Sequence, residues 1–344
     1  MRIGAVVQDD VGEYIHGIVQ GMIELSSEDH FILYGCSSMD VGEAVPKGSL
    51  RGPRILQTSI MLPWIVRRDK LNALLCTESV APFVPVGCPV VSILQDVSRW
   101  STRWGIRCTK GRGASFVVSK PELMKRLCTL GVDPDRVRYI GASIPSRFHT
   151  WDPQSDEALE VIQRYNIPSH FILMKATSDN AVRVIRAFGL IKEFHGMPYY
   201  LVIMGRLQGC LQIEIGSSGH RDTIKVIDVD NDDWPIVYSL ATLFITAEED
   251  SDSGTDIAEA MSCGCPVICS LKDAQGVAGV AGESVDPFDV KDIARGIRDV
   301  LRNPDLQDDM RRLGLDQSRG FTQDQSARSI ISLLDEAPDK ATLR

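Results

Sequence analysis

Short apolar runs alternate with amphipathic stretches along almost the whole chain, and this alternation constrains the fold more than any other feature of the sequence. Runs typical of buried strands include RIGAVV, PVVSIL, HFILMKA and YYLVIMG. Between them lie segments with helical periodicity, such as PELMKRLCTLGV, NAVRVIRAFGLIKEF and DVKDIARGIRDVLRN. Strands that alternate with helices are the pattern of βαβ units and parallel sheets. The sequence therefore predicts an α/β protein.

One polar segment divides this pattern into two halves. The segment 143–156, SIPSRFHTWDPQSD, contains two prolines and has no periodicity, which is typical of a linker. A chain of 344 residues is long enough for two domains, each with its own core. We therefore predict domains at 1–147 and 148–323, with strand ends turned to a shared cleft. A C-terminal helix at 324–344 could pack back on the first domain.

Composition excludes several classes of protein. The net charge of −9 argues against binding nucleic acid or an anionic bilayer through bulk electrostatics. No run approaches the roughly 20 apolar residues of a membrane span, and the N-terminal MRIGAVVQDD favours a buried strand over a signal peptide. The nine cysteines are scattered, which favours reduced thiols and a cytoplasmic location. CGCPVIC (263–269) lacks metal-ligand spacing, so we interpret it as core packing and predict no metal site.

Three segments, in this order and spacing, carry a resemblance to a known family. They are VSKPELMKRLCTLGVDPDRVRYIGASIPSRF, RYNIPSHFILMKATSDNAVRVIRAFGLIKE, and FITAEEDSDSGTDIAEAMSCGCPVICS with the following AGESVDPFDVKDIARGIRDVL. The chain resembles retaining GT-B glycosyltransferases of family 4, well over residues 80–315 and in outline over the first 75. The resemblance implies a GT-B fold, with two Rossmann-like domains whose parallel sheets face each other across a cleft.

The resemblance also implies an activity. Such a protein moves a sugar, with retention, from a nucleotide-diphosphate-sugar donor to a glycan, lipid-linked or small-molecule acceptor. The donor is a substrate, and neither a cofactor nor a divalent metal is expected. We expect no nucleic-acid partner and weak or no membrane association. A protein partner or a homodimer is compatible with the sequence.

The donor segment of the family carries two glutamates separated by seven residues, with a glycine-rich turn between them. The second glutamate matches Glu259, and the turn matches Ser253, Gly254 and Thr255. Amides at a helix N-terminus attract phosphate, and a carboxylate can accept hydrogen bonds from both ribose hydroxyls. The resemblance therefore implies a ribose role for Glu259. The alternative is an acidic first helical turn, which the helix dipole favours on its own.

Several positions depart from the family pattern. Ser251 stands at the first glutamate and Gln95 at the histidine near the reacting bond, so these two are the candidate catalytic positions. Ser178 and Asp179 stand where an Arg-Lys pair normally holds the diphosphate, and Gly12 is the remainder of a Gly-Gly loop. The lost charge could be replaced by a divalent ion or by one of three cationic side chains, Lys175, Arg183 and Arg206. Lys175, at the end of a predicted strand, is the best placed.

These departures leave two functions open. The first is a working glycosyltransferase; the second is a catalytically inactive GT-B protein that acts as a binding or partner subunit. Residues 248–259 contain six carboxylates and no Lys or Arg, so a diphosphate there would meet negative charge.

Three further segments have two interpretations each. The basic and aromatic stretch 98–113 either binds an anionic acceptor or is a surface loop. The segment 228–234, DVDNDDW, is a strand-to-helix turn rather than a calcium loop, because it lacks the central Gly and closing Glu. The segment 61–75 is interpreted as an ordinary surface helix rather than a membrane contact.

Overall fold

The structure is a computed structural model that describes residues 1–7, 13–26, 29–34, 45–47, 60–77, 86–94, 100–110, 114–176, 181–207, 209–248 and 254–335. The chain folds as two compact units. The first unit comprises Met1–Ser143 together with Thr322–Arg344, and the second comprises Ile144–Phe321. The division thus falls after residues 143 and 321, where the sequence predicted 147 and 323.

Each unit is built on one parallel sheet. The first sheet has seven strands in the order β3-β2-β1-β4-β5-β6-β7, and the second has six in the order β10-β9-β8-β11-β12-β13. Every neighbouring pair is parallel. The strands are β1 Arg2–Val6, β2 His30–Tyr34, β3 Val45–Lys47, β4 Ala73–Thr77, β5 Val90–Leu94, β6 Ser115–Val118, β7 Val137–Tyr139, β8 Phe171–Lys175, β9 Tyr200–Met204, β10 Ile224–Ile227, β11 Leu243–Ile245, β12 Val267–Ser270 and β13 Gly282–Val285.

Helices connect the strands, and several begin at a side chain that caps the first turn. Ser155 Oγ accepts a hydrogen bond from the Ala158 amide, and Asn303 Oδ1 accepts one from the Leu306 amide. The helices are α1 Glu13–Leu25, α2 Leu62–Arg68, α3 Trp100–Thr109, α4 Pro121–Thr129, α5 Asp156–Tyr165, α6 Ala181–His195, α7 Gly209–Ser217, α8 Trp234–Leu240, α9 Thr255–Ser262, α10 Val290–Arg302, α11 Pro304–Ser318 and α12 Gln323–Asp335. Between β12 and β13 lie a single turn, Leu271–Asp273, a π-helical segment, Ala274–Ala278, and a 3₁₀ turn, Gly279–Ala281.

Both faces of the first sheet are buried. One face carries a cluster with α1 and α12, to which Ile18 and Ile330 belong. The opposite face carries a cluster with α2, α3 and α4, to which Ile65, Ile106 and Leu127 belong. Strands that are covered on both faces must be apolar at almost every position. This explains why they appear in the sequence as continuous apolar runs.

The α/β class with parallel sheets is confirmed, but two strands went unpredicted. β3 is three residues long, contains Pro46 and lies at the edge of its sheet. β13, Gly282–Val285, is also an edge strand, and only its last residue is buried. An edge strand has one unpaired side and less burial, so it lacks the apolar run that marks a central strand.

Three local interpretations are decided by the structure. The surface-loop alternative for the basic stretch is wrong over Trp100–Thr109, which form α3. The turn interpretation of 228–233 is confirmed, since these residues join β10 to α8. Cys263, Cys265 and Cys269 are buried core residues, and burial raises the pKa of the Cys263 thiol to about 12.

Two further features of the described residues concern membranes and thiols. Within the described ranges, no helix has both the length and the apolar character that a membrane crossing requires. Seven cysteines with described side chains form no disulfide bond with one another: Cys76, Cys88, Cys128, Cys210, Cys263, Cys265 and Cys269.

Candidate functional site at the carboxyl edge of the second sheet

The order of the second sheet creates a crevice between two strands. From β8 the chain proceeds to β9 and β10 on one side, and from β11 to β12 and β13 on the other. Ligands of open α/β sheets bind outside the carboxyl ends of the strands at such a reversal point. Lys175 is the last residue of β8, and Ile245 is the last residue of β11. The crevice therefore lies beside Lys175.

Helix α9 begins beside this crevice, and its N-cap position has a backbone conformation that requires glycine. Gly254, the N-cap of α9, has φ +64, and a Cβ atom there would lie 2.4 Å from Val277 Cγ2. A side chain at position 254 would therefore meet both backbone strain and a collision. Asp256 and Glu259 follow, three residues apart, and that spacing places them on one face of the helix.

Lys175 meets both of these carboxylates. Its Nζ donates to Asp256 Oδ1 at 2.5 Å and lies 3.7 Å from Glu259 Oε2. The side chains of Lys175 and Glu259 are 8% and 4% exposed, whereas that of Asp256 is 40% exposed. The result is a largely buried cluster of one cation and two anions at the end of β8.

Two aromatic residues of α8 complete the cluster. Lys175 Nζ lies 4.1 Å from the centre of the Trp234 ring and 6.0 Å from that of Tyr238. The first distance is that of a cation–π interaction. Trp234 Nε1 donates to the carbonyl of Val229 at 3.0 Å, which orients the ring. Burial raises the pKa of Tyr238 well above its usual value, and the charges of Asp256 and Glu259 add to that effect.

The space left around this cluster is small. A pocket of about 10 Å³ is lined by residues at the ends of β8 and β11 and at the start of α9, including Lys175, Thr246 and Asp256. A volume of this size holds about one water molecule. Lys175 and Asp256 both line this pocket.

Four predicted site residues are described, and the structure brings two of them together. Lys175 and Glu259 lie in one cluster, while Gly254 and Thr255 form the start of α9 beside it. Six predicted site residues lie outside the described part of the chain: Gly12, Gln95, Ser178, Asp179, Ser251 and Ser253.

The other two candidate cations contact other residues. The guanidinium of Arg183 lies over the ring of Phe288, 5.3 Å from its centre. The side chain of Arg206 is 93% exposed and lies 3.7 Å from Asp228 Oδ2.

Sequence reasoning missed three members of the cluster: Asp256, Trp234 and Tyr238. Asp256 was counted only as a source of repulsion, and its three-residue spacing from Glu259 was the signal that it shares a face with it. Trp234 gave no sequence signal, because residues from α8 and β8 meet only through the folded sheet. Among the described residues, no group of three His, Cys, Asp or Glu side chains is placed to hold a metal ion.

The site lies inside a region that matches a family model. Residues 175–315 match the model of glycosyl transferases group 1. The matched region begins at Lys175 and includes Asp256 and Glu259. It therefore contains the whole cluster described above.

One curated relative shares detectable sequence identity. The chain is 32% identical over 105 residues to O-antigen chain mannosyltransferase B of Escherichia coli. The alignment covers 30% of this chain and 28% of that protein, so the chain matches only about a quarter of the relative's length.

Solved structures match almost the entire chain. A glycosyltransferase from Rickettsia africae superposes with a TM-score of 0.82 at 16% identity, covering 97% of this chain and 98% of that one. Anabaena HepE in complex with UDP matches with a TM-score of 0.79 at 14% identity, covering 97% and 100%. WaaG, a glycosyltransferase involved in lipopolysaccharide biosynthesis, matches at 0.75 and 13%, covering 96% and 99%. The predicted fold class, GT-B with two Rossmann-like units, is confirmed.

Proposed function

We propose that this chain is a cytoplasmic glycosyltransferase of the family 4 type. It transfers a sugar, with retention, from a nucleotide-diphosphate-sugar donor to a glycan, lipid-linked or small-molecule acceptor. The observation that carries the proposal is the overlap of two findings. The family-model match over residues 175–315 contains the Lys175–Asp256–Glu259 cluster, and that cluster lies at the reversal point of the second sheet.

Each predicted site residue has a role in this proposal. Glu259 accepts hydrogen bonds from the ribose, and the turn of Ser253, Gly254 and Thr255 meets the donor beyond it. Gln95 and Ser251 stand at the catalytic positions. Gly12, Ser178 and Asp179 take the donor-binding roles that the resemblance implies, and Lys175 forms an ion pair with Glu259.

The chemistry is one of positioning and charge stabilisation. The leaving diphosphate helps to deprotonate the acceptor, so no separate protein base and no metal cofactor are included. The names of the similar proteins guide the choice of donor. A mannosyltransferase and a UDP complex make GDP-mannose and UDP-glucose the first donors to test.

The test is direct. Purified protein is titrated calorimetrically with UDP, GDP, UDP-glucose and GDP-mannose, with and without Mg²⁺, and sugar release is followed by mass spectrometry. We expect one nucleotide series to bind, with Glu259→Ala abolishing that binding. Absence of binding by both series at millimolar concentration contradicts the proposal.

A second function is favoured by a specific observation. The positive charge of Lys175 is already balanced by Asp256 and Glu259, and neither Ser178 nor Asp179 supplies another cation. A GT-B protein without a diphosphate clamp would serve as a binding or partner subunit. It could act within a hetero-complex or as a homodimer.

A reversion experiment separates the two functions. The triple variant Ser178→Arg, Asp179→Lys and Ser251→Glu restores the charges that the family carries. If the native protein binds no nucleotide and the triple variant does, the partner function is correct. Sugar transfer by the native protein rules it out.

A further inference from the structure

A cavity lies at the amino edge of the second sheet, at the strand ends opposite to the candidate site. This amino-edge cavity measures about 520 Å³ and is lined by Phe171, the first residue of β8, and by Ala241 and Thr242, which precede β11. Lys175 and Ile245 end the same two strands. The five residues of β8 span about 13 Å, so the length of the strand separates the cavity from the Lys175 cluster.

The walls of the amino-edge cavity are mostly apolar. Ile162 and Ile167 come from the end of α5, where Asn166 has a left-handed conformation with φ +50. The Ile167 amide donates to the Ile162 carbonyl at 2.9 Å, which fixes this turn of the chain. Pro153 and Pro168 add rings that lock the backbone φ on two further sides. A concave space of roughly 300–1,000 Å³ with apolar walls is typical of small-molecule sites.

Among the described residues that line the cavity, Arg311 of α11 alone carries a charge. Its side chain is 39% exposed. Burial raises the pKa of the Cys265 thiol, and the charge of Arg311 opposes that rise, so the guanidinium lies within electrostatic reach of this buried residue. Cys265 Sγ donates to the carbonyl of Ala241, itself a lining residue, at 3.8 Å. The positive charge of Arg311 therefore acts on the cavity as well as on the solvent.

Arg311 has hydrogen-bond donors to offer to a ligand. Its Nη1 donates to Asp308 Oδ1 at 2.9 Å, and the side chain of Asp308 is 77% exposed. Exposed ion pairs of this kind are weak, and a guanidinium has five N–H donors. The hydroxyl groups of Ser169 and Thr242 also line the cavity and can donate to an oxygen atom. A carboxylate could therefore share Arg311 with Asp308.

Two helix ends beside the cavity bear on the sign of its charge. α5 and α8 both end here, and the free carbonyls of a helix C-terminus favour cations. The Gln163 carbonyl, however, accepts from the Asn166 amide, and the Tyr238 carbonyl accepts from the Ala241 amide, each at 3.2 Å. With these carbonyls occupied, we expect the full charge of Arg311 to dominate.

We propose that the amino-edge cavity binds a small amphipathic carboxylate of the medium-chain fatty acid type. The apolar chain lies against Ile162, Ile167 and Phe171, and the carboxylate lies at Arg311. This goes beyond the proposed function, because it assigns a second ligand to the strand ends opposite to the donor site. Such a ligand stabilises the folded second unit by binding to it.

The test uses three ligands that share an eight-carbon chain and differ in head group. Octanoate, 1-octanol and octylammonium are titrated calorimetrically into the full chain. We expect octanoate to bind once per chain with a Kd below about 1 mM and about fivefold tighter than octanol, with octylammonium the weakest. Octanol that binds as tightly as octanoate overturns the carboxylate as the ligand class. Absence of saturable octanoate binding up to about 5 mM overturns the site.

Two variants of α11 test the role of the cation. Arg311→Gln should weaken octanoate binding to the level of octanol and leave octanol binding unchanged, which shows that the cavity is intact. Arg312→Gln removes the neighbouring exposed pair with Asp309 and should leave the binding of both ligands unchanged. Equal losses of octanoate binding in the two variants would mean that net charge sets the affinity, and would overturn the role of Arg311.

The place of binding is tested in two ways. Ser169→Trp introduces a large ring from an exposed lining position and should abolish the binding of all three ligands. In the native protein, octanoate should slow hydrogen exchange in residues 162–172 and 238–243 and leave β1 unchanged. Unchanged octanoate binding in Ser169→Trp, or protection confined to other segments, places the ligand elsewhere and overturns the site.

A competition experiment separates this inference from the proposed function. UDP and GDP are titrated with and without saturating octanoate, and we expect octanoate to leave their affinities unchanged. Displacement of a nucleotide by octanoate overturns the second site alone. Absence of nucleotide binding, while octanoate still protects residues 162–172, supports the second site and counts against the proposed function alone.

Discussion

At the scale of single residues, the Lys175 cluster combines burial with charge. Lys175 and Glu259 are both nearly inaccessible, so each depends on the other to offset its loss of water. Removing one partner of such a pair leaves an uncompensated charge. The cluster is therefore a point where stability and the proposed function depend on the same side chains.

We predict that Lys175→Met lowers the free energy of unfolding by about 3–5 kcal/mol, the usual effect of breaking a buried pair. Lys175→Met with Glu259→Gln should recover part of that loss, because no buried carboxylate remains unbalanced. Urea denaturation measures both. Arg206→Met is the control, since its exposed pair with Asp228 contributes less than about 1 kcal/mol.

The pH dependence of Lys175→Met gives a second check. Without the cation, the pKa of Glu259 in the folded variant rises above its unfolded value. A raised carboxyl pKa makes the folded state relatively more stable at low pH, where the group is protonated in both states. The loss of unfolding free energy in Lys175→Met, relative to the native protein, should therefore be smaller near pH 5 than near pH 8. A deficit that does not change with pH contradicts the counter-charge role of Lys175.

Gly254 provides a prediction with a matched control. Gly254→Ala should destabilise the protein by more than the ~1–2 kcal/mol of left-handed backbone strain, because its Cβ would also collide with Val277. Gly196 also has positive φ, +56, but an added Cβ meets nothing within 4 Å. Gly196→Ala should therefore show the backbone strain alone. Equal losses of unfolding free energy in the two variants would show that the collision is relieved.

At the scale of elements, α10 is tied to β13 by a charged network. Arg295 donates to Asp292 at 2.7 Å and to Glu283 of β13 at 2.8 Å. The hydrogen bond from Arg295 lowers the pKa of Asp292. A lowered carboxyl pKa stabilises the folded state at pH values above the pKa of the unfolded state, which is about 4. That stabilisation is lost as the pH falls through the pKa of the folded state.

We predict that Arg295→Met costs about 0.5–1 kcal/mol at neutral pH, because the network is partly exposed and screened. The difference from the native protein should shrink below about pH 4, where Asp292 becomes protonated. Thermal unfolding of both proteins at a series of pH values measures this difference in stability. Arg312→Met removes a more exposed pair with Asp309 and should have almost no effect at any pH. A pH-independent loss in Arg295→Met would mean that its alkyl packing, not its charge, holds the helix.

At the scale of the whole molecule, the last helix belongs to the first unit. α12 follows the second unit in sequence but packs on α1, and Ile330 and Leu333 are buried with Ile18 in one core. Just before the chain re-enters the first unit, the Ile144 amide donates a hydrogen bond to the Phe321 carbonyl at 2.8 Å. The first unit is therefore completed only by the end of the chain.

We predict that Ile330→Ala destabilises the first unit by about 2–5 kcal/mol, through the lost apolar burial and the cavity it leaves. Hydrogen exchange should accelerate in β1 and β4 and remain unchanged in β8 and β9 of the second unit. Arg328→Ala, an exposed position of the same helix, is the control. Accelerated exchange in β8 as well would contradict the independence of the two cores.

The sequence by itself determined the α/β class, the positions of the central strands and the placement of Lys175 at the end of one of them. Local periodicity is sufficient for these features, because burial on both faces of a sheet marks each central strand with an apolar run. The edge strand β13 went unpredicted for the same reason, since only its last residue is buried, and β3 is a three-residue edge strand that contains Pro46.

Only the tertiary structure decided which side chains meet. Lys175 and Asp256 are 81 residues apart, and they touch because β11 inserts beside β8 in the sheet order. Trp234 reaches the same cluster from a third segment, so its role depended on how the crossover helices cover the sheet. Strand order and helix placement arise from long-range packing, which no local sequence pattern encodes. That packing turned a predicted phosphate-binding lysine into the counter-charge of two carboxylates.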